Sequence, residues 1–410
     1  MEHHTDGPVR VLHVLGNLGH GGAESRVMDL YRHMDRSRVQ FDFAVHCDGE
    51  RTPEYFDRMV EELGGNLYVL PRFKAYNLRA YKRAWRELFA SQKGAWRVVQ
   101  GHMTSTAAIY LPIAKAAGVP VTVAHARSAG TDPGIKGILT RYFRRPLQKD
   151  GTCDISFACT SKAGEAVFGA RRMREDKVLI LPNAIDIDGF AFDTGARERI
   201  RAEFNLSDAI VIGHVGRLNR VKNHDYLMQV FVQLRKKAAE ETHTPGLSGR
   251  DLKLLLVGDG TLHAQEVRNL PVQYGIEKDV IFAGDRSDVS SFYSAFDHFV
   301  FPSLFEGLPG TVIEAQASGL PCLISDRITR DVEVSPLVRR RGIAEDPALW
   351  AEQIVADLTQ KSAFDKAESF PLDRAGASES ARVLLREAGF DVKAQAVRMM
   401  AFYESGKGWK

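Results

Sequence analysis

Residues 297–325 read Asp-His-Phe-Val-Phe-Pro-Ser-Leu-Phe-Glu-Gly-Leu-Pro-Gly-Thr-Val-Ile-Glu-Ala-Gln-Ala-Ser-Gly-Leu-Pro-Cys-Leu-Ile-Ser. His298 to Phe301 is a short apolar run, the signature of a buried strand, and Pro302-Ser303 ends it. A loop with two glycines runs to Gly310. Pro309 stands where a helix can begin, Thr311 to Ala317 continues as helix, and Gly319 and Pro321 stop it. Cys322 to Ile324 is then the next strand, which completes a β–loop–α–β unit of a parallel sheet.

A parallel sheet binds ligands beyond the C-terminal ends of its strands. The loop holding Glu306 falls there, with Glu314 about one turn into the helix that follows. The free N–H groups of that helix start favour an anion. Each carboxylate can accept two hydroxyl hydrogen bonds, so the pair suits a ligand with paired hydroxyls and a diphosphate, such as a sugar nucleotide. Taken alone, the two acids read more simply as a solvated loop residue and a helix N-terminal acid favoured by the dipole.

The run Pro302-Ser-x-x-Glu306-Gly307-Leu308-Pro309-x-x-x-x-Glu314-Ala-x-Ala317-x-Gly319-x-Pro321 is long and specific. It resembles the donor-site signature of retaining glycosyltransferases of family 4. That resemblance implies the GT-B fold: α/β, two Rossmann-like parallel-sheet domains facing a central cleft. It also implies that Glu314 binds the donor ribose, that Glu306 meets the sugar hydroxyls, and that Gly307, Leu308, Gly310 and Thr311 line the donor.

The remainder of the chain alternates apolar runs with helical patterns, as a parallel α/β sheet requires. Strands are expected at Val9–Leu15, Val39–His46, Asn66–Leu70, Val98–Gly101, Pro120–Ala124, Asp154–Ala158 and Val178–Leu181. A second series follows at Ala209–Val215, Leu252–Val257 and Val280–Ala283. After the first strand comes Gly16-Asn-Leu-Gly-His-Gly-Gly-Ala-Glu24. A glycine loop between strand and helix brings backbone N–H groups to a phosphate, but the spacing fails the G-x-G-x-x-G dinucleotide pattern. The loop resembles the first loop of family 4 enzymes, which implies that Gly19, Gly21 and Gly22 approach the donor diphosphate. Gly216-Arg-Leu-Asn-Arg-Val-Lys-Asn-His224 resembles the family's diphosphate clamp, with Arg217 and Lys222 as its cations.

Two histidines, His102 and His125, stand at expected strand ends. Such histidines are commonly structural hydrogen-bonding groups. Val121-Thr-Val-Ala-His-Ala-Arg-Ser128 nonetheless resembles the family segment whose histidine lies beside donor sugar and acceptor, which points to His125; Arg127 could meet phosphate or acceptor by position. Gly284-Asp-Arg286 corresponds to the segment bordering the nucleotide base, which makes Arg286 a candidate. Ser161 is expected to N-cap a helix, and 242–250 reads as an inserted loop. Leu181-Pro-Asn-Ala-Ile-Asp-Ile-Asp188 resembles the interdomain segment, with Ala184 in place of the usual glycine. Its Asp186-Ile-Asp188 spells D-x-D, but it stands at a domain junction without other ligands, so no metal site is expected. Asp326-Arg-Ile-Thr-Arg-Asp331 departs from the commonest family pattern and resembles an exopolysaccharide and capsule subgroup. The expected organisation is an acceptor domain over 1–187, a donor domain over 188–390, and a final helix, 391–410, returning to the first.

At 410 residues the chain has room for two or three domains. The net charge of +3 hides an asymmetry: residues 1–185 hold 27 Lys and Arg against 19 acids, and the remainder 28 against 33. The densest stretch, Arg72 to Arg97, has eight cations and one acid, Glu87. A solvated helix face explains it equally with attraction to an anionic membrane or a phosphorylated acceptor. No nucleic-acid motif accompanies the charge. Nothing at Met1–Pro8 reads as a signal peptide, and no run is long and apolar enough to span a bilayer. Cys47, Cys153, Cys159 and Cys322 lack metal-ligand spacing and read as reduced, buried residues. The expectation is a cytoplasmic enzyme, peripheral at a membrane. Its partners would be a nucleotide-sugar donor and a glycan or lipid-linked acceptor, with no cofactor. The rivals are a binding protein without turnover, a GT-B phosphorylase, for which no pyridoxal lysine motif is present, and an NAD-dependent enzyme, weakened by the failed glycine spacing.

Overall fold

A computed structural model of the chain describes residues 7–19, 21–128, 130, 134–240, 250–260, 263–359 and 373–406. The chain forms two compact units, Met1–Ala184 with Asp391–Lys410, and Ile185–Phe390.

The first unit holds a parallel sheet of β1 (Val9–Val14), β2 (Val39–His46), β3 (Leu67–Leu70), β4 (Val98–Gly101), β5 (Val121–Ala126), β6 (Ile155–Ala158) and β7 (Leu179–Ile180), in the order β3-β2-β1-β4-β5-β6-β7. β2 is buried along almost its whole length, as expected for a strand with helices on both faces. The helix Val392–Ser405 belongs to this unit. Asp391 caps it by accepting from the N–H of Lys393 and Ala394. Its Met399, Phe402 and Tyr403 enter the core beside Val11, Phe41 and Phe157, with the Tyr403 ring 5.7 Å from Phe41.

The second unit holds β8 (Ile210–Val215), β9 (Leu252–Val257), β10 (Val280–Gly284), β11 (His298–Phe301), β12 (Cys322–Ser325) and β13 (Val338–Arg341), again all parallel, in the order β10-β9-β8-β11-β12-β13. The register of β10 on β9 shifts between Phe282 and Gly284. Both sheets repeat one pattern. The strand order reverses beside β1 in the first and beside β8 in the second, which places a switch point at β1/β4 and another at β8/β11.

Several local expectations change. Thr160, not Ser161, caps the helix Ser161–Phe168, because its extended backbone lets its hydroxyl accept from the N–H of Ala163 at 3.0 Å. His125 lies inside β5 rather than beyond its end. The first α-helix of the second unit is Thr194–Glu203, capped by the Asp193 carboxylate. β13 was not anticipated. Residues 241–249, most of the expected inserted loop, lie outside the described residues. All four cysteines are free, and Cys47 is half-buried rather than buried. Among the described residues no helix is long and apolar enough to cross a membrane.

Candidate active site

The loops after β8 and β11 flank the switch point of the second unit, and their side chains meet there. After β8, Asn219 accepts from the N–H of Lys222 and closes the short turn Arg220–Lys222. Asn223 follows with φ +56°, a left-handed conformation that asparagine tolerates, and its amide donates to the Pro302 carbonyl at 3.2 Å. The Leu304 N–H donates to the Val221 carbonyl. These bonds lace the two loops together. In consequence the Lys222 ammonium lies 2.8 Å from a Glu306 carboxylate oxygen and 4.4 Å from the centre of the Phe301 ring, a cation over an aromatic face.

Arg217 is exposed, and no ion pair holds it among the described residues. Its loop leaves room for nothing but glycine in the neighbouring one. A Cβ on Gly258, φ +122°, would stand 2.4 Å from the Gly216 carbonyl oxygen, and one on Gly260 would stand 2.6 Å from that of Leu218.

The helix Gly310–Ala317 starts after Pro309 with no side-chain cap, so its first N–H groups are available to an anion. Gly307 and Leu308 form the approach to it, and Leu308 is buried. The Thr311 hydroxyl is buried without a partner, as is that of Ser303; such groups are rare inside proteins. Glu314 is buried on the same helix and accepts from the Tyr293 hydroxyl at 2.9 Å. Arg286 is drawn elsewhere: its guanidinium binds Asp288 at 2.8 Å and Glu203 at 2.7 Å, over the Phe292 ring. The hydrogen bonds to these carboxylates raise its pKa further. Asp188 of the D-x-D run pairs with Arg382 and Arg386. Among the described residues, no group of three or more His, Cys, Asp or Glu is placed to hold a metal ion.

In the first unit, the glycine loop after β1 leads into the helix Gly22–Arg32. Gly21 is its N-cap and no side chain caps it. A Cβ on Gly21 would meet the Glu24 carboxylate at 2.2 Å, whereas Gly22 faces open space. Gly19 accepts from the Gly21 N–H and donates to the Asn17 side chain. The loop is anchored by Glu54, which accepts from the Leu18 N–H at 2.6 Å and is itself paired with Arg51, an anchor the sequence did not signal.

His125 is fully buried. Tyr403 donates to the Gln100 side-chain oxygen at 2.8 Å, which fixes the amide so that its NH₂ donates to His125 Nδ1 at 3.1 Å. The His125 proton is thereby assigned to Nε2, which has no partner. Alongside, Arg127 Nε donates to His102 Nδ1 at 3.2 Å, and His102 Nε2 lies 2.9 Å from His13 Nδ1. Arg127 also donates to Asn183 at 2.7 Å. Burial, reinforced by Arg127, holds His13 at about 3 and His102 and His125 well below the ordinary imidazole value. All three rings are therefore neutral, and His125 presents a buried N–H donor.

Two parallel-sheet units, a laced lysine–glutamate pair at a switch point and an uncapped helix start beside it define the GT-B class. The family description "Glycosyl transferases group 1" matches residues 209–360, and "Glycosyltransferase Family 4" matches residues 20–188. EpsF of Bacillus subtilis (strain 168), which is named as a glycosyltransferase, is 36% identical over 350 residues, 84% of this chain and 86% of its own. An Escherichia coli UDP-Gal:alpha-D-GlcNAc-diphosphoundecaprenol alpha-1,3-galactosyltransferase is 32% identical over 151 residues, 37% of each chain. The crystal structure of Anabaena Alr3699/HepE in complex with UDP has the same fold, with TM-score 0.72 at 17% identity over 98% of this chain and all of that one. The chain belongs to the family 4 glycosyltransferases and is an enzyme of that kind.

Proposed function

We propose that the enzyme is a retaining, metal-independent glycosyltransferase that moves a sugar from a nucleotide sugar, in the simplest reading a UDP-sugar, to a glycan or lipid-linked acceptor in polysaccharide assembly. The observation that carries this reading is the Lys222–Glu306 pair at 2.8 Å, laced between the two loops of the β8/β11 switch point. Lys222, Arg217 and the N–H groups at Gly310 and Thr311 would neutralise the leaving diphosphate, a stabilisation of developing charge that needs no metal. Glu314, positioned by Tyr293, would accept from the ribose hydroxyls, and Glu306 from those of the sugar. Transfer would be front-face with no protein nucleophile, the acceptor hydroxyl giving its proton to the departing phosphate. The UDP in the Anabaena complex and the UDP-Gal donor and diphosphoundecaprenol acceptor in the name of the Escherichia coli relative support this donor and acceptor class. The basic first unit would face a cytoplasmic membrane that carries such an acceptor.

The test is mass spectrometry of products, together with donor hydrolysis, across UDP-, GDP- and ADP-sugars with lipid-linked and free acceptors. A product formed from a UDP-sugar, with its anomeric configuration shown by NMR to be retained, supports the reading; transfer with inversion, or transfer of the sugar to inorganic phosphate, overturns it.

A further inference from the structure

The first unit contains a groove of about 1410 Å³ on its helix layer, walled by the helices Leu78–Ser91, Thr104–Ala116 and Gly134–Arg144 and the turn Arg145–Gln148. Among the described residues, none that line it belongs to the loops that follow β1, β4 or β5. Its floor is apolar: Leu78, Phe89, Ile109, Pro112, Ile113 and Phe143. Its rim is cationic, with Lys82, Arg86, Lys93, Arg145, Lys149 and Arg171, and among the described residues no carboxylate lines it. Of these cations only Arg171 is in an ion pair among the described residues, with Asp150 and Glu175. On the helix Gly134–Arg144, Tyr142, which lines the groove, is 63% exposed, and Ile138, one turn before it, is 57% exposed.

The helix Leu78–Ser91 explains why the charges gather. Tyr81, Trp85 and Phe89 face the core at a spacing of four, which turns Lys82 and Arg86 together toward the groove. Arg79 and Arg83 are exposed outside it, and Arg83 pairs with Glu87 at 3.7 Å. Three of the eight cations of the basic stretch, Lys82, Arg86 and Lys93, therefore form part of the rim, and the other five lie outside the groove.

An apolar floor under unpaired cations, with protruding Ile138 and Tyr142, matches an amphiphile with a long apolar tail and an anionic head. A soluble polyanion would satisfy the rim and leave the floor wet. We propose that the groove is a lipid-chain site: it seats a chain of an anionic bilayer phospholipid while Lys82, Arg86, Lys93, Arg145 and Lys149 take the phosphate. The inference rests on the membrane reading above and adds the place and manner of attachment. Lys and Arg stems lie along apolar surface with their charge at the edge, and cations near an anionic leaflet add to chain burial.

The test is cosedimentation of the intact protein with phosphatidylcholine vesicles, with and without phosphatidylglycerol, at low and high salt. The unmodified protein is expected on phosphatidylglycerol vesicles, less so in high salt. Lys82→Glu/Arg86→Glu should lower partitioning at least tenfold. Arg79→Glu/Arg83→Glu, with the same change in charge, should lower it less than threefold. Ala116→Glu, an exposed lining position, should match the first pair by placing a carboxylate in the chain's path. UDP affinity by calorimetry should stay unchanged throughout, which separates folding and the donor site from attachment. Equal losses in the two charge-reversed pairs with no effect of Ala116→Glu would overturn the groove and leave membrane attachment standing. No binding to either vesicle would overturn both.

Discussion

Lys222 and Glu306 stand 84 positions apart and meet at 2.8 Å because the strands they follow, β8 and β11, are neighbours at the switch point of one sheet. Each holds the other in place: the carboxylate keeps the ammonium over the Phe301 ring, so that the diphosphate of the proposed donor would find the cation already positioned.

The pair separates binding from turnover. A charge-assisted hydrogen bond contributes about 1.5–3 kcal/mol, so Lys222→Ala or Arg217→Ala should weaken UDP roughly tenfold to a hundredfold. Glu306→Gln removes a carboxylate that competes for Lys222. UDP binding should then hold or tighten while kcat falls by about two orders of magnitude. Calorimetry with UDP and initial rates with the full donor check both halves. Unchanged UDP affinity in both cation variants would remove Arg217 and Lys222 from the clamp.

Tyr293→Phe tests Glu314 without touching its charge. The lost hydrogen bond at 2.9 Å contributes about 1 kcal/mol to holding the carboxylate. Uridine and UDP should both bind roughly fivefold more weakly, while the fold persists because the ring stays buried. Weakening of UDP alone, with uridine unchanged, would place Glu314 at the phosphates instead.

The buried histidines make stability depend on pH. His13 is held at about 3, His224 at about 4, and His102, His125 and His214 well below 6.5, burial being the first cause in each. Their stabilising contribution is fully present above the unfolded-state value of about 6.5 and is lost as pH falls toward the folded values, because the unfolded chain takes protons that the folded chain refuses. Each ring can contribute a slope of up to about 1.4 kcal/mol per pH unit. Urea unfolding at intervals from pH 8 to pH 5 should show stability flat above about 7 and falling below it. Replacing His13 by Gln should flatten the fall; a profile insensitive to that change would count against a neutral His13.

Activity is expected to survive EDTA. In the proposed reaction the diphosphate's charge would fall to Arg217, Lys222 and the uncapped start of Gly310–Ala317, and Asp188 is already paired with Arg382 and Arg386. Complete loss in chelator, restored by Mn²⁺, would return Asp186 and Asp188 to consideration as ligands.

The strands with dense apolar runs were legible, and Val39–His46, Leu252–Val257 and His298–Phe301 fall where their apolar patterns place them. β13 was not, because Val338-Arg-Arg-Arg341 is an edge strand with half-buried residues and no apolar alternation. The helix Pro347–Leu358 carries a readable start, with Asp346 as N-cap and Pro347 at its first position. In the candidate site, Glu306 and Glu314 stand out from one long motif and Lys222 from another. Tyr293 behind Glu314, Glu54 under the glycine loop and Gln100 beside His125 do not. These partners come from a helix, a loop and a strand distant in sequence, so only the fold brings them in.

The arginines of β13 have a use that concerns other copies of the chain. An open sheet edge is a template for adding a strand from a neighbour, the first step of aggregation, and edges are blunted by charge, shortness or irregularity. β13 closes one border of its sheet with three consecutive cations, and β10 spoils the other with a register shift. In the first sheet β7 is two residues long. That leaves β3, four residues with Val69 half exposed and no charge of its own, as the least guarded border, and a crowded, partly unfolded population of this enzyme would begin to self-associate there.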